Sequence, residues 1–148
     1  MVQNNVNLYD PKVLNPYWVV GFTDGEGCFH VSVSKNSSAT LGYQVSLEFS
    51  ITQLIRDEEV MKKFISFFGC GYVIYDSNMK MQYRVRDRKE LSVFILPFFD
   101  SYPLLTVKSK DYEDFKKVHA MLEKKLHLTP EGLDAIRSIQ AGMNRNRK

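Results

Sequence analysis

The stretch that most restricts the possible folds is residues 15–34, NPYWVVGFTDGEGCFHVSVS, because its apolar pattern changes period partway along. Up to Asp24 the apolar residues group as on a helix, with Asn15 placed to cap the amino end and Pro16 suited to the first helical position. After Gly27 the pattern has period two, with Phe29, Val31 and Val33 on one side and His30, Ser32 and Ser34 on the other. That alternation describes a half-buried strand. The spacing therefore predicts a short helix over 15–24 feeding a strand. Asp24 and Glu26 at the junction would stand about 200° apart on a continuous helix. One site cannot use both from within it. Gly25, tolerant of the left-handed conformation that ends helices, is the expected exit point.

A second strand follows the turn-forming NSSAT, with Tyr43, Val45, Leu47, Phe49 and Ile51 alternating with Gln44, Ser46, Glu48, Ser50 and Thr52. Residues 56–68 carry an amphipathic helical pattern, with Asp57 as the expected N-cap and Gly69 just past the end. Residues 71–86 read as a hairpin turning at 76–80. Asp87 and Glu90 have capping-box spacing for another helix, which Pro97 should end or distort. Two more helices are expected over 109–126 and 130–142, the second introduced by Thr129, Pro130 and Glu131. The outline is an α+β fold: an αββαββα core with an antiparallel sheet and extra C-terminal helices. At 148 residues it makes one domain, 1–148, with an N-terminal arm at 1–14 and a loose basic tail at 143–148.

Composition excludes several classes. Hydrophobic residues at 44% and charged residues at 25% suit a globular chain rather than a disordered one. No apolar run approaches the ~18 residues that a membrane span needs, so no membrane partner is expected. The first residues, MVQNNVNLYDPK, show neither a secretory nor a transit pattern. Cys28 and Cys70 have neither metal-site spacing nor clustered histidines, and read as free thiols. A net charge of +3 permits nucleic-acid binding without demonstrating it.

Three features carry candidate chemistry. His30, Ser32, Ser34, Gln44, Ser46, Glu48, Gln82, Arg84 and Arg86 project from one side of the sheet. This is either a solvated face or, with one acid among them, a ribbon for a DNA major groove, where Gln and Arg make paired contacts to purine edges. Gly21 and Gly25 stack on one helical face, as a cap with core packing or as a close approach between two helices. Asp24 and Glu26 are a cap and a surface acid, or a carboxylate held ready for Mg²⁺, which takes few protein carboxylates and completes its shell with water and phosphate.

Residues 19–27, VVGFTDGEG, resemble the signature of the LAGLIDADG homing endonucleases, with Gly21, Asp24 and Gly27 as in the signature. CFHVSV, ITQ, FGCGYV, YPLLTVKSKDY and HLTPEGL are similar to the same family, so the resemblance covers nearly the whole chain. It implies a saddle-shaped sheet lying on double-stranded DNA and a metal-dependent, site-specific endonuclease. The metal falls to Glu26 with Gly25, Asp24 supports the helix end, and Gln53 organises active-site water. Lys108 stands near the scissile phosphate, with Lys110 as the alternative two residues on, and Arg56 is the one basic candidate beside the second helix. Mg²⁺ is the implied cofactor, with Mn²⁺ substituting and Ca²⁺ binding without cleavage. One motif per chain implies a homodimer packed through Trp18, Gly21, Phe22 and Gly25 on a palindromic or nearly palindromic target. The second implied function is that of a maturase binding group I intron RNA. The implied location is an organelle, the mitochondrion ahead of the chloroplast.

Overall fold

The computed structural model describes residues 13–148, so the expected arm at 1–14 falls, apart from Val13 and Leu14, outside the described residues. Helix α1 spans Pro16–Glu26, and the Asn15 side chain accepts a hydrogen bond from the Tyr17 N–H at 2.8 Å, capping it as the sequence suggests. The helix does not end at Gly25. It runs through Glu26 and passes directly into strand β1, Gly27–Lys35. Gly27 has an extended backbone, and its N–H donates to the Thr23 carbonyl. Glycine is needed at the junction for room: a Cβ there would lie 2.6 Å from Thr23 Cγ2 and 2.8 Å from its carbonyl oxygen.

Strand β2, Tyr43–Leu54, pairs antiparallel with β1, from Gly27 opposite Ile51 to Lys35 opposite Tyr43. Strands β3, Tyr72–Tyr75, and β4, Lys80–Val85, form the predicted hairpin. The sheet order is β1-β2-β4-β3, antiparallel throughout. Its buried side carries Phe29, Val31, Leu47, Phe49, Ile51, Met81, Tyr83 and Val85, all from the apolar phase of the alternation. The helices cover that side. Helix α2, Glu58–Phe68, buries Met61, Phe64 and Phe68 and ends at Gly69 with φ 79°, a left-handed cap. Asp57 does not cap it. Residues Ile55–Asp57 form a 3₁₀ turn instead, and the Asp57 side chain makes no capping hydrogen bond.

Asp87 caps the next helical segment, accepting from the Glu90 N–H at 2.9 Å. Helix α3, Arg88–Glu90, leads into a π-helical turn, Leu91–Ile95, and then helix α4, Leu96–Ser101. Pro97 thus distorts the helix without ending it. Lacking an N–H, it sits in the first turn of α4, and the wider turn before it closes through Leu96 N–H to the Leu91 carbonyl. Helix α5, Lys108–Glu123, buries Tyr112, Phe115, Val118 and Leu122, and helix α6, Pro130–Ala141, buries Leu133 and Ile136. The core centres on Phe29, whose ring packs against Phe49, Phe99, Tyr112 and Phe115 at centroid distances of 5.1–5.4 Å. Cys28 and Cys70 are free thiols, as read from the sequence.

The basic tail is docked rather than loose. Met143 is buried, Asn144 donates from its side chain to the Phe29 carbonyl at 3.0 Å, and Arg147 Nε meets Asp111 Oδ1 at 2.8 Å. Arg147 also pairs with Asp114. With Gln140 donating to the Val31 carbonyl at 2.9 Å, this segment covers the outer edge of β1. An open edge would otherwise expose unpaired carbonyls. Charge alone suggested a solvated end; the apolar Met143 and the buried Asp111 hold it down. No described helix is long and apolar enough to cross a membrane.

Candidate active site and nucleic-acid face

The carboxyl end of α1 gathers the acid–base groups. Glu26, the last helical residue, is exposed, and its carboxylate forms no hydrogen bond or ion pair among the described residues. Asp24 turns the other way. Its two oxygens accept from the N–H groups of Leu105 (2.9 Å) and Thr106 (3.2 Å) and from Thr106 Oγ1 (2.6 Å). The support it gives is therefore to the turn that leads into α5, rather than to the end of its own helix. That turn delivers Lys108, the first residue of α5, whose Nζ donates to the Thr23 carbonyl at 3.0 Å. Helix carbonyl ends attract cations, and this one accepts both Lys108 and the Gly27 N–H.

Burial pushes the Lys108 amine below the ordinary lysine range, while Cys28, Asp24 and Glu26 pull it back up. Lys108 thus stands in the field of both acids, whereas the Lys110 side chain is exposed and makes no such contact. Gln53 lies near the end of β2, two residues past the Ile51 that pairs with Gly27, at the same end of the sheet as Glu26. Its Oε1 accepts from the Leu54 N–H at 3.2 Å. Arg56 follows on the exposed 3₁₀ turn.

The donor set suits half a hard-cation site. No three His, Cys, Asp or Glu groups among the described residues converge to hold a metal. One exposed carboxylate at a negative helix end, with backbone carbonyls beside it, is too little for zinc. It is enough for an ion that keeps most of its shell as water and phosphate.

Eight of the nine polar residues share one side of the strands, and Arg86, just past the end of β4, reaches that side through its ion pair with Glu48. His30 faces Glu48, Ser32 faces Ser46 and Ser34 faces Gln44 across β1 and β2. Gln82 and Arg84 continue that side on β4, opposite Thr52 and Ser50. The side chains are already organised. Arg84 Nε donates to Gln82 Oε1 at 2.7 Å, and Gln82 Nε2 to Thr52 Oγ1 at 3.0 Å. Glu48 lies 3.5 Å from Arg84 and 3.3 Å from Arg86, so the one acid of the set holds two guanidinium groups in place. Cys28, Ser50 and Thr52 belong to the same side by register; the alternation already puts Ser50 and Thr52 there, and carried one step back from His30 it would have added Cys28. Asp111 was missed because nothing in its local sequence says that an aspartate will be buried beneath the chain's own end.

On the outside of α1, Gly21 and Gly25 are exposed, and a Cβ on either would meet nothing within 4 Å among the described residues. Trp18 is 43% exposed and stacks on the half-buried Phe22 at 4.8 Å. Tyr17, Tyr102 and Leu105 border an adjoining groove of about 370 Å³.

The family model for LAGLIDADG endonuclease matches residues 19–119. The chain is 35% identical over 97% of its length to a probable intron-encoded endonuclease of Neurospora crassa, covering 27% of that protein. It is 36% identical over 80% of its length to a 50.9 kDa protein in ND4 intron 1 of Podospora anserina, covering 26% of it. Among solved structures, I-LtrWI bound to target DNA superimposes with a TM-score of 0.89 at 41% identity, over 91% of this chain and 46% of that one. I-SmaMI bound to uncleaved DNA in the presence of calcium gives 0.86 at 38%, over 97% and 48%. The homing endonuclease I-TnaI gives 0.86 at 43%, over 91% of both chains. The chain thus spans about a quarter of these curated relatives, under half of two structural neighbours and most of the third. With the helix-to-strand junction, the polar sheet and these matches in agreement, the chain belongs to the LAGLIDADG endonuclease family.

Proposed function

We propose that this chain forms half of a site-specific DNA endonuclease that hydrolyses one phosphodiester on each strand of a duplex, using a divalent cation. The observation that carries the reading is the junction itself: an exposed carboxylate, Glu26, beside a partly buried amine, Lys108, at the end of an organised polar sheet. A cation held there, with Mg²⁺ the first candidate, would polarise the phosphate and lower the pKa of a bound water. Glu26, with Gly25 beside it, would hold that ion, and Gln53 would orient the water. Lys108 would offset charge growing on the phosphate in the transition state. The sheet residues would read base edges, and Lys and Arg contacts to the backbone would supply salt-sensitive affinity.

The second half is a second copy of the chain, packed through Trp18, Gly21, Phe22 and Gly25. The open space that the described residues leave over both glycines supports this. A twofold dimer presents the same strands twice, so a palindromic or nearly palindromic target follows. A mitochondrial origin is supported by relatives named for ND4 and cox1 introns. The relatives' names as endonucleases favour cleavage over an RNA-splicing role.

The test compares Mg²⁺ with Ca²⁺, and the parent with Glu26→Gln, on supercoiled DNA carrying a candidate palindrome. The parent should linearise DNA in Mg²⁺ and only bind it in Ca²⁺. Glu26→Gln should keep binding and lose roughly 10²- to 10³-fold in rate, as expected when a transition-state contact is removed. Binding by the parent without nicking in Mg²⁺ would overturn the enzyme reading.

A further inference from the structure

At the far end of the polar sheet, away from Glu26, β2 loses its second neighbour. Its pairing with β4 begins at Phe49 opposite Val85, so residues 43–48 are laddered only to β1. A cavity of about 490 Å³ fills the vacated position, lined by Gln44, Ser46, Leu47, Arg86, Arg88 and His127. Among the described residues no carboxylate lines it. Arg86 and Arg88 do have acidic partners, Glu48 and Glu123, each meeting the guanidinium at its Nε at 3.3 Å. A guanidinium has five N–H donors in a planar fork, which leaves the Nη groups for a second acceptor. The third basic group is His127. Its Nδ1 is shielded from water and has no hydrogen-bond partner among the described residues. Burial and then the neighbouring Arg88 hold this imidazole below the ordinary histidine range. A buried polar atom left unpaired is costly, and the Arg88 cation beside it raises that cost if it protonates.

We propose that this cavity receives a backbone phosphate of the bound duplex, held by Arg86 and Arg88 with His127 behind them, as an anchor at the outer end of each half-site. The proposal rests on the DNA reading above and adds a site to it. Several neutral donors, two guanidinium forks and the absence of any lining acid suit a phosphate, which takes paired N–H contacts from arginine. The position fits as well. Gln44 and Ile51 are seven residues apart in β2, roughly 23 Å at about 3.3 Å per residue, or about seven steps of a duplex at ~3.4 Å each. The phosphate would belong to an outer base pair, far from the bond that is cut. Its contact would fix the register of the duplex on the sheet while carrying no base information.

The test uses the chain's three histidines as reporters. Imidazole nitrogen resonances are followed in the full-length protein while a random-sequence duplex is added without metal. His30, on the polar sheet face, reports that DNA engages the sheet. His119, buried and bonded to the Arg88 carbonyl at 3.1 Å, reports a change at Arg88 itself. The proposal expects His30 and His127 to shift together. A shift at His30 with none at His127 overturns the anchor and leaves the DNA reading standing; no shift at either defeats both. Inorganic phosphate alone forms the second arm, and a response at His127 to phosphate but not to duplex assigns the cavity to a free anion and overturns the DNA assignment. In parallel, Arg88→Gln should reduce the slope of log affinity against log salt by about 0.9 per chain, one phosphate contact's worth. An unchanged slope in a variant whose thermal unfolding matches the parent contradicts the proposal.

Discussion

At the scale of single residues, the junction divides labour between neighbours that look alike in the sequence. Asp24 and Glu26 are two positions apart, yet one is bound to the 105–106 backbone and the other is exposed, with no hydrogen bond or ion pair among the described residues. Helix geometry alone predicts the divergence; which acid goes where depends on a turn some eighty residues away. The glycines differ as sharply. Gly27→Ala should cost about 1–3 kcal/mol, since its Cβ would press on Thr23 backbone and methyl atoms. Gly21→Ala and Gly25→Ala should leave protomer stability unchanged or raise it by up to ~1 kcal/mol, because each fills open space with a better helix former. Urea unfolding of the three variants distinguishes the cases, and equal losses in all three would contradict the structure. Lys108 adds a pH signature. Because burial lowers its pKa on folding, the folded protein holds fewer protons than the unfolded one between that lowered value and the ordinary 10.5. Its contribution to stability should therefore rise as pH rises through that window. Lys108→Met should lack this rise when unfolding free energies are compared across the alkaline range, the tyrosines being common to both proteins.

At the scale of elements, two surfaces have opposite fates. The outer side of α1 is uncovered by the described residues, with Trp18 and both helical glycines exposed. If a second α1 packs there, Gly21→Val with Gly25→Val should leave a folded protomer that sediments as a monomer, on DNA as well as alone. Persistence of the dimer in that variant would remove this helix from the interface. The C-terminal segment is the reverse case, covered where its charge suggested exposure. Asn144→Ala removes a side chain that bonds to the Phe29 carbonyl, so a loss of about 1–3 kcal/mol in unfolding free energy is expected. A loose tail would show none. The strands and most helix boundaries were legible because alternation and capping residues are local signals, read correctly at Asn15, Gly69 and Asp87. Asp57 and the tail were misread because their outcome is decided by distant contacts. A 3₁₀ turn displaces the first, and Asp111 and β1 capture the second.

At the scale of the molecule, an open four-stranded sheet presents one polar face, with a cation-suited helix end at one limit and a basic cavity at the other. The polar face was visible from two-residue alternation, and Glu26 and Lys108 came from the family resemblance. The way Glu48 ties Arg84 to Arg86, and the gap left beside β2, needed the strand register. On the proposed reading, two such halves cut both strands of a chosen duplex through Glu26. Selection of cleaved sites from a random duplex pool in Mg²⁺ measures that outcome directly. The parent protein should yield a recurring, palindromic or nearly palindromic cleaved sequence, and Glu26→Gln none. The same sequence recovered from both proteins, or no enriched sequence from the parent, would contradict it.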